Sequence, residues 1–344
     1  MKKFLFYISI SLFFLACSED DGNGPAIINP TSERVVIVNE GNFGTANSSI
    51  SIYTSKDNQI NDAVFSASNA NRPLGDLTQS MVKIDQRYFI AVNNSNKIEV
   101  VNAVDFKSVG SIDPINQPRY ILPIDAQKAY VTESNFTGSG NIYIINTTNY
   151  TIEKTIPTGG WTEEMVFTNN KVFVSNVLAN EVWVFDANAD TLLSRISTNK
   201  QPQKMVLDIN GMVWVACTGG FNDGNPALVQ IDPIKLSVAK SLELNDNTKS
   251  ISELKINSSK DELIYILDDV FKISIMDTVL SSMPLISKGA NSFYALGVDP
   301  RNDDIYLSDA LDFVQKGVVY RFDRTGNALL NFKAEIIPGE FFFD

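Results

Sequence analysis

The sequence predicts an all-β fold: one seven-bladed β-propeller of four-stranded antiparallel blades, closed by the C-terminal strand. Three observations carry this. A run of β-branched and aromatic residues starts at Arg34, Arg87, Lys128, Lys171, Met212, Glu262 and Asp304, at intervals of 53, 41, 43, 41, 50 and 42 residues. A near-constant period in the forties with strand-type patterning is the mark of one propeller blade per repeat. Helical periodicity appears nowhere at length. The chain also begins its first repeat without an inner strand, and residues 337–344 (IPGEFFFD) read as that strand arriving last. Pairing the two ends removes two exposed sheet edges.

Each repeat continues in the same way. After the first run and a short polar loop comes a second, such as SSISIYT, NKIEVVNA, GNIYIINT or NEVWVFDA. Several of these end on Asn146, Asp186, Asp232 or Asp323, residues that suit the turn leaving a strand. A weaker outer strand follows (TLLSRIST), then a tight segment and the inner strand of the next blade (QPQKMVLDI). No linker interrupts residues 33–344, so they form one domain.

Residues 1–16 read as a signal peptide, with Lys2 and Lys3 before an apolar stretch of residues 4–15. Twelve residues are too few to span a bilayer as a helix, which takes about 20. The segment ends Leu15-Ala16-Cys17. This resembles the lipobox of bacterial lipoproteins, with Phe14 where Leu is commonest, and implies lipidation of Cys17. Residues 18–21 (SEDD) resemble the acidic signal that sends some lipoproteins to the outer leaflet of the outer membrane. Residues 17–32 are then a lipidated Cys and a flexible acidic tether, the only membrane attachment. An ordinary cleaved signal peptide is the alternative.

Composition narrows the chemistry. With no His, the chain has no Ser-His or Cys-His nucleophile pair and no His-ligated metal. A net charge of −12 argues against nucleic acid, whose phosphates need a basic face. Cys217 lies in the apolar run MVWVACT and reads as a buried hydrophobe.

Propeller ligands sit around the axial channel, on loops joining the second strand to the third and on loops entering the inner strand. In the first set Asn follows the strand at Asn39, Asn93 and Asn176, with Asn135 near the same place. Aromatics interrupt polar loops at Phe43, Phe136, Trp161, Phe221 and Phe313, the first four of which enter the candidate site. Together with Glu40, Arg119 and Glu133 these are the candidate ligand-binding residues. Amides donate and accept, and aromatics give rigid apolar area, which suits a small neutral ligand. Turn-capping Asn and loop-pinning aromatics leave the same signature. No catalytic residue and no metal motif is assigned. Glu40, Glu133, Glu163, Glu164, Asp223 and Asp309 would suit only Ca²⁺ if they converged, a hard cation that takes oxygen ligands. Asp190-Thr191-Leu192 and Asp277-Thr278-Val279 resemble a surface-lipoprotein O-glycosylation pattern and also read as plain turns.

KAYVTES, KVFVSNV and NEVWVFD resemble the YVTN-type repeat of the YncE-like propellers. Residues 38–44 (VNEGNFG) followed by SSISIY resemble the opening repeat of the surface lipoproteins that include the BtuG-type cobalamin-binding proteins. This implies a cell-surface capture protein for a small ligand such as a corrinoid, working with a TonB-dependent transporter. A protein-interaction or adhesion scaffold is the alternative, and a Ca-dependent, lactonase-like hydrolase a third.

Overall fold

A computed structural model describes residues 33–135 and 137–344; Cys17, the signal peptide, the tether and Phe136 lie outside the described residues. The strands form seven antiparallel sheets arranged as blades. The blades are numbered here from the one containing Arg34–Asn39. In chain order from blade two, the inner strands are Thr78–Ile84, Pro118–Pro123, Thr162–Thr168, Pro202–Leu207, Glu253–Ile256 and Phe293–Val298. The C-terminal Pro338–Phe343 serves blade one, lying antiparallel to Arg34–Asn39 with Val35 opposite Phe343 and Val38 opposite Glu340.

The two middle strands of most blades are buried on both faces, as in Lys171–Asn176 and Glu181–Asp186, whereas the outer strand Thr191–Ser197 is largely exposed. Middle strands are clasped between neighbouring blades, which explains runs such as VFVS and VWVF with no polar alternation. The core is therefore a ring of seam clusters. Ile52, Tyr88 and Phe106 pack between blades one and two, and Tyr53, Tyr306 and Phe341 between seven and one. Cys217 is fully buried in the seam of blades four and five, and burial pushes its thiol up to about 12, so it is inert.

Blade six departs from the expected pattern. It has three strands among the described residues, Glu253–Ile256, Glu262–Leu267 and Asp269–Ser274. Where an outer strand was expected, residues 275–292 form a single β-bridge with the sheet, Val270 to Ile286. That stretch, IMDTVLSSMPLISKGANS, has no alternating run, and Pro284 supplies no N–H for a ladder.

Candidate functional site

In a propeller of this strand order, the loops from second to third strand and the loops into each inner strand lie at one end, here the upper face. Asn39, Asn93, Glu133 and Asn176 all stand at the upper end of a second strand. Backbone bonds at this end tie each second strand to the entry of its own inner strand: Asn93 N–H donates to Leu77 O at 2.7 Å, Ser134 N–H to Gln117 O at 3.1 Å and Val177 N–H to Trp161 O at 2.9 Å.

Six of the seven inner strands enter with a β-bulge, Glu253–Ile256 of blade six being the exception. Pairing slips between Thr78 and Ser80, Pro118 and Ile121, Thr162 and Met165, Pro202 and Lys204, Phe293 and Leu296, and opposite Val38 and Asn39. A bulge re-aims side chains, and here it turns consecutive polar residues towards the axis. Hydroxyls on the flanking strands satisfy the displaced backbone: Thr132 accepts from Tyr120 N–H, and Ser308 accepts from Ala295 N–H and donates to Pro338 O at 2.6 Å.

The result is a charged network in the channel. Arg119 pairs with Glu163 at 2.7 Å, and Glu163 also accepts from the Trp161 indole N–H. Lys204 of blade five reaches Glu253 of blade six at 2.8 Å and Glu164 of blade four at 3.5 Å. It also donates to the Tyr120 hydroxyl of blade three at 2.9 Å. Lys255 lies 3.7 Å from Glu164. Partners that skip a blade can meet only across the axis. Glu40 folds over Gly339, where a Cβ would fall 2.3 Å from Glu40 Oε1, and it accepts from Tyr294 at 3.0 Å. Glu340 accepts from Met81 N–H at 3.0 Å.

Burial governs the ionisation of these groups. It raises Glu40 and Glu253 from their ordinary values, against the pull of Arg119 on the first and of Lys204 and Lys255 on the second. It pushes Glu340 up to about 7, although Lys255 and Lys204 oppose it. Burial alone would lower Lys204, but Glu253, Tyr120 and Glu164 together outweigh it and hold the ammonium well above its ordinary value.

The predicted site residues divide. Glu40, Arg119 and Trp161 are half-buried and belong to the charged network, Glu40 through Tyr294 and the other two through Glu163. Phe43 and Phe221 stand free on upper loops, 74% and 93% exposed. The asparagines do not line an open amide ring. Asn39 is fully buried and donates to Ser51 Oγ at 3.0 Å, Asn93 donates to Pro118 O at 3.1 Å, and Asn176 to Thr158 O at 3.2 Å. Their amides hold strand ends and seams, because burying an amide unpaired is costly. Glu133 is fully buried as well, accepting from Asn116, Asn141 and Tyr143, and from Asn135, which binds it at 3.1 Å while capping its own loop. Burial and this carboxylate push the Tyr143 hydroxyl up to about 12.

The acids weighed for Ca²⁺ do not converge. Glu163 sits on Arg119, Asp223 on Lys200 at 2.6 Å, and Asp309 accepts from Ser292 and Leu311 N–H. Among the described residues no group of three or more acidic or thiol side chains is placed to hold a metal ion.

The family described as Domain of unknown function (DUF5074) matches residues 34–343. The chain belongs to this family. The matched span is the whole ring, from the first residue of Arg34–Asn39 to the last of the closing strand. No curated protein matches the chain. Several solved structures share the DUF5074 propeller's fold. A quinonprotein alcohol dehydrogenase-like protein from Bacteroides thetaiotaomicron has a TM-score of 0.71 at 13% identity, covering 91% of this chain and 78% of its own. A functionally unknown protein from Desulfotomaculum acetoxidans gives 0.67 at 13%, covering 91% and 99%. A protein from Lactobacillus plantarum gives 0.63 at 13%, covering 90% and 99%. At such identities the likeness is one of fold, and activity must be argued from the site.

Proposed function

We propose that this DUF5074 propeller is a non-catalytic capture protein, lipid-anchored at Cys17 on the outer face of the outer membrane. It binds a small neutral ligand, of the corrinoid class, across its upper face and works with a TonB-dependent transporter. One observation carries this reading: Phe43 and Phe221 stand almost free of packing on the same face as a polar channel mouth. Rigid aromatic area beside hydrogen-bonding groups fits a flat ligand edged with amides. The tether would leave from the other end. Arg34–Asn39 runs from the lower face to the upper, so residue 33 lies opposite the rim. The hydrolase reading has less support, since among the described residues no three acids gather where they could hold Ca²⁺.

Thermal unfolding of purified protein with cobalamin, cobinamide, glycans and Ca²⁺ tests the ligand. A corrinoid at a hundred times its dissociation constant is expected to add ~2.7 kcal/mol of stability. The Phe43→Ser/Phe221→Ser double variant should lose that gain while keeping its own unfolding transition. Equal gain in both proteins would remove the rim from the site. A second reading, a protein-docking scaffold, is favoured by the neighbouring loop, where Phe313 is 49% and Val314 68% exposed. Its signature would be no response to small ligands, with the double variant losing co-purification with the transporter. Anchoring has its own test. Cys17→Ser should move the protein from the membrane fraction to the soluble one, and retention in membranes would refute lipidation there.

A further inference from the structure

On the lower face, the seam between blades six and seven opens into a cavity of about 530 Å³, within the range of small-molecule sites. It borders the three-stranded blade, and its wall reaches Lys272 and Ser274 on the outermost strand of that blade. Its floor is apolar: Ile264, Val298 and Ile305 are all buried. Its mouth is charged, and the charges are unevenly matched. Lys272 is 3.2 Å from Glu262 and so is paired.

The other three charged groups of the lining have no ionic partner among the described residues. Asp261 accepts from the Asn257 side chain at 2.7 Å, and Asp303 accepts from Ser258 N–H at 2.7 Å and from its hydroxyl at 3.1 Å, all neutral donors. Arg324, in the turn before the last strand of blade seven, lines the same cavity with no carboxylate on its guanidinium. Asp261 and Arg324 are exposed and Asp303 is half-buried, so all three are open to a ligand in the cavity.

We propose that this cavity binds a zwitterionic small ligand, an amino acid or short peptide, with its ammonium on Asp261 and Asp303 and its carboxylate on Arg324. A guanidinium fork matches a carboxylate in two parallel hydrogen bonds, and ionised acceptors hold an ammonium by charge-assisted bonds. The apolar floor takes a small aliphatic side chain. No aromatic residue lines the cavity, so it offers no plate for a flat ring. The site is independent of the upper face and of its ligand.

Titration calorimetry on the purified protein tests this with alanine, dialanine, N-acetyl-dialanine, dialanine amide and 1,4-diaminobutane. Dialanine or alanine is expected to bind saturably, and blocking either end of the dipeptide should weaken binding about tenfold. Arg324→Gln should erase the difference between dialanine and its amide while keeping the penalty for acetylation. The Asp261→Asn/Asp303→Asn variant should show the converse, and Arg324→Lys should restore part of the amide discrimination. Val109→Ala, at an exposed position on the outer strand of blade two, should leave these affinities unchanged. Equal affinity for free and blocked peptides, tighter binding of the diamine, or no saturable heat from either alanine or dialanine would overturn the assignment.

Discussion

Removing residues 338–344 is expected to unfold the whole propeller, not one blade. The strand Pro338–Phe343 is the inner strand of blade one, so its loss leaves Arg34–Asn39 an open edge and opens the seams on both sides. Phe341 packs with Tyr306 and Ala295 between blades seven and one, while Phe342 meets Tyr88 edge-on on the blade-two side. Deleting one buried Phe side chain costs about 3–5 kcal/mol, and whole domains hold only about 5–15.

The last residue adds an electrostatic latch. Asp344 binds Arg34, Lys83 and Tyr88 at once, Tyr88 donating at 2.7 Å. Arg34 is 1% exposed, and its Nε and Nη1 have no hydrogen-bond partner, so without Asp344 a guanidinium is buried with no counter-charge. Circular dichroism should show loss of the cooperative transition in the truncated chain. A folded truncated protein with a near-native midpoint would show that the ring holds without closure. A gentler variant isolates the latch. Burial would raise the Asp344 carboxyl, but hydrogen bonds from Lys83, Tyr88 and Arg34 outweigh it and hold it at about 2. A depressed carboxyl stabilises above its unfolded value, near 4, and that contribution is lost as pH falls from about 4 towards 2. Asp344→Asn should therefore cost stability at pH 6 and show a shallower loss across that window than the parent protein.

The ring was readable because its core repeats. Middle strands clasped between blades must be apolar on both faces, so VFVS, VWVA and IYIL mark each blade at a near-constant interval, and the orphaned IPGEFFFD has one vacancy to fill. The missing outer strand of blade six was less visible. Outer strands are mostly exposed and weakly patterned in every blade, and only Pro284 and the surrounding Ser and Gly marked the difference. The rim aromatics stand on the expected face for a simple reason: strand order fixes the end of the ring on which a loop lies. It does not fix whether a side chain turns to the mouth or into a seam, and Asn39, Asn93 and Asn176 turned inward onto backbone carbonyls and hydroxyls. The channel network was hidden by distance along the chain. Glu253, Lys255 and Glu340 meet residues from other blades only after the circle closes. One signal was present: an inner-strand entry of Pro or Thr, two residues, then an apolar one, as in PRYI, TEEM, PQKM and PGEF. The two middle positions hold most of the charged groups that reach the axis.

Arg119→Met is expected to destabilise the protein by about 3–5 kcal/mol, the usual cost of stranding one member of a buried ion pair. Glu163 is the stranded member. Its side chain is 2% exposed, and without Arg119 the Trp161 indole N–H is its remaining side-chain donor. The pair is poorly hydrated on the other side too, because Arg119 Nε is buried with no hydrogen-bond partner. Burial would lower the guanidinium's proton affinity, yet Glu163 holds it above its ordinary value, so attraction exceeds desolvation at this site. Replacing both residues should then recover most of the loss. An Arg119→Met/Glu163→Met protein leaves no lone charge, and apolar replacements of buried pairs are often neutral. Urea denaturation of the parent, the two single variants and the double variant measures the coupling directly. A single-variant cost below about 1 kcal/mol would mean that channel water solvates the pair as it does a surface one. The same four proteins also separate scaffold from site. If Arg119 only holds blade three to blade four, the double variant keeps the upper-face ligand; if its guanidinium reaches that ligand, restored stability will come without restored binding.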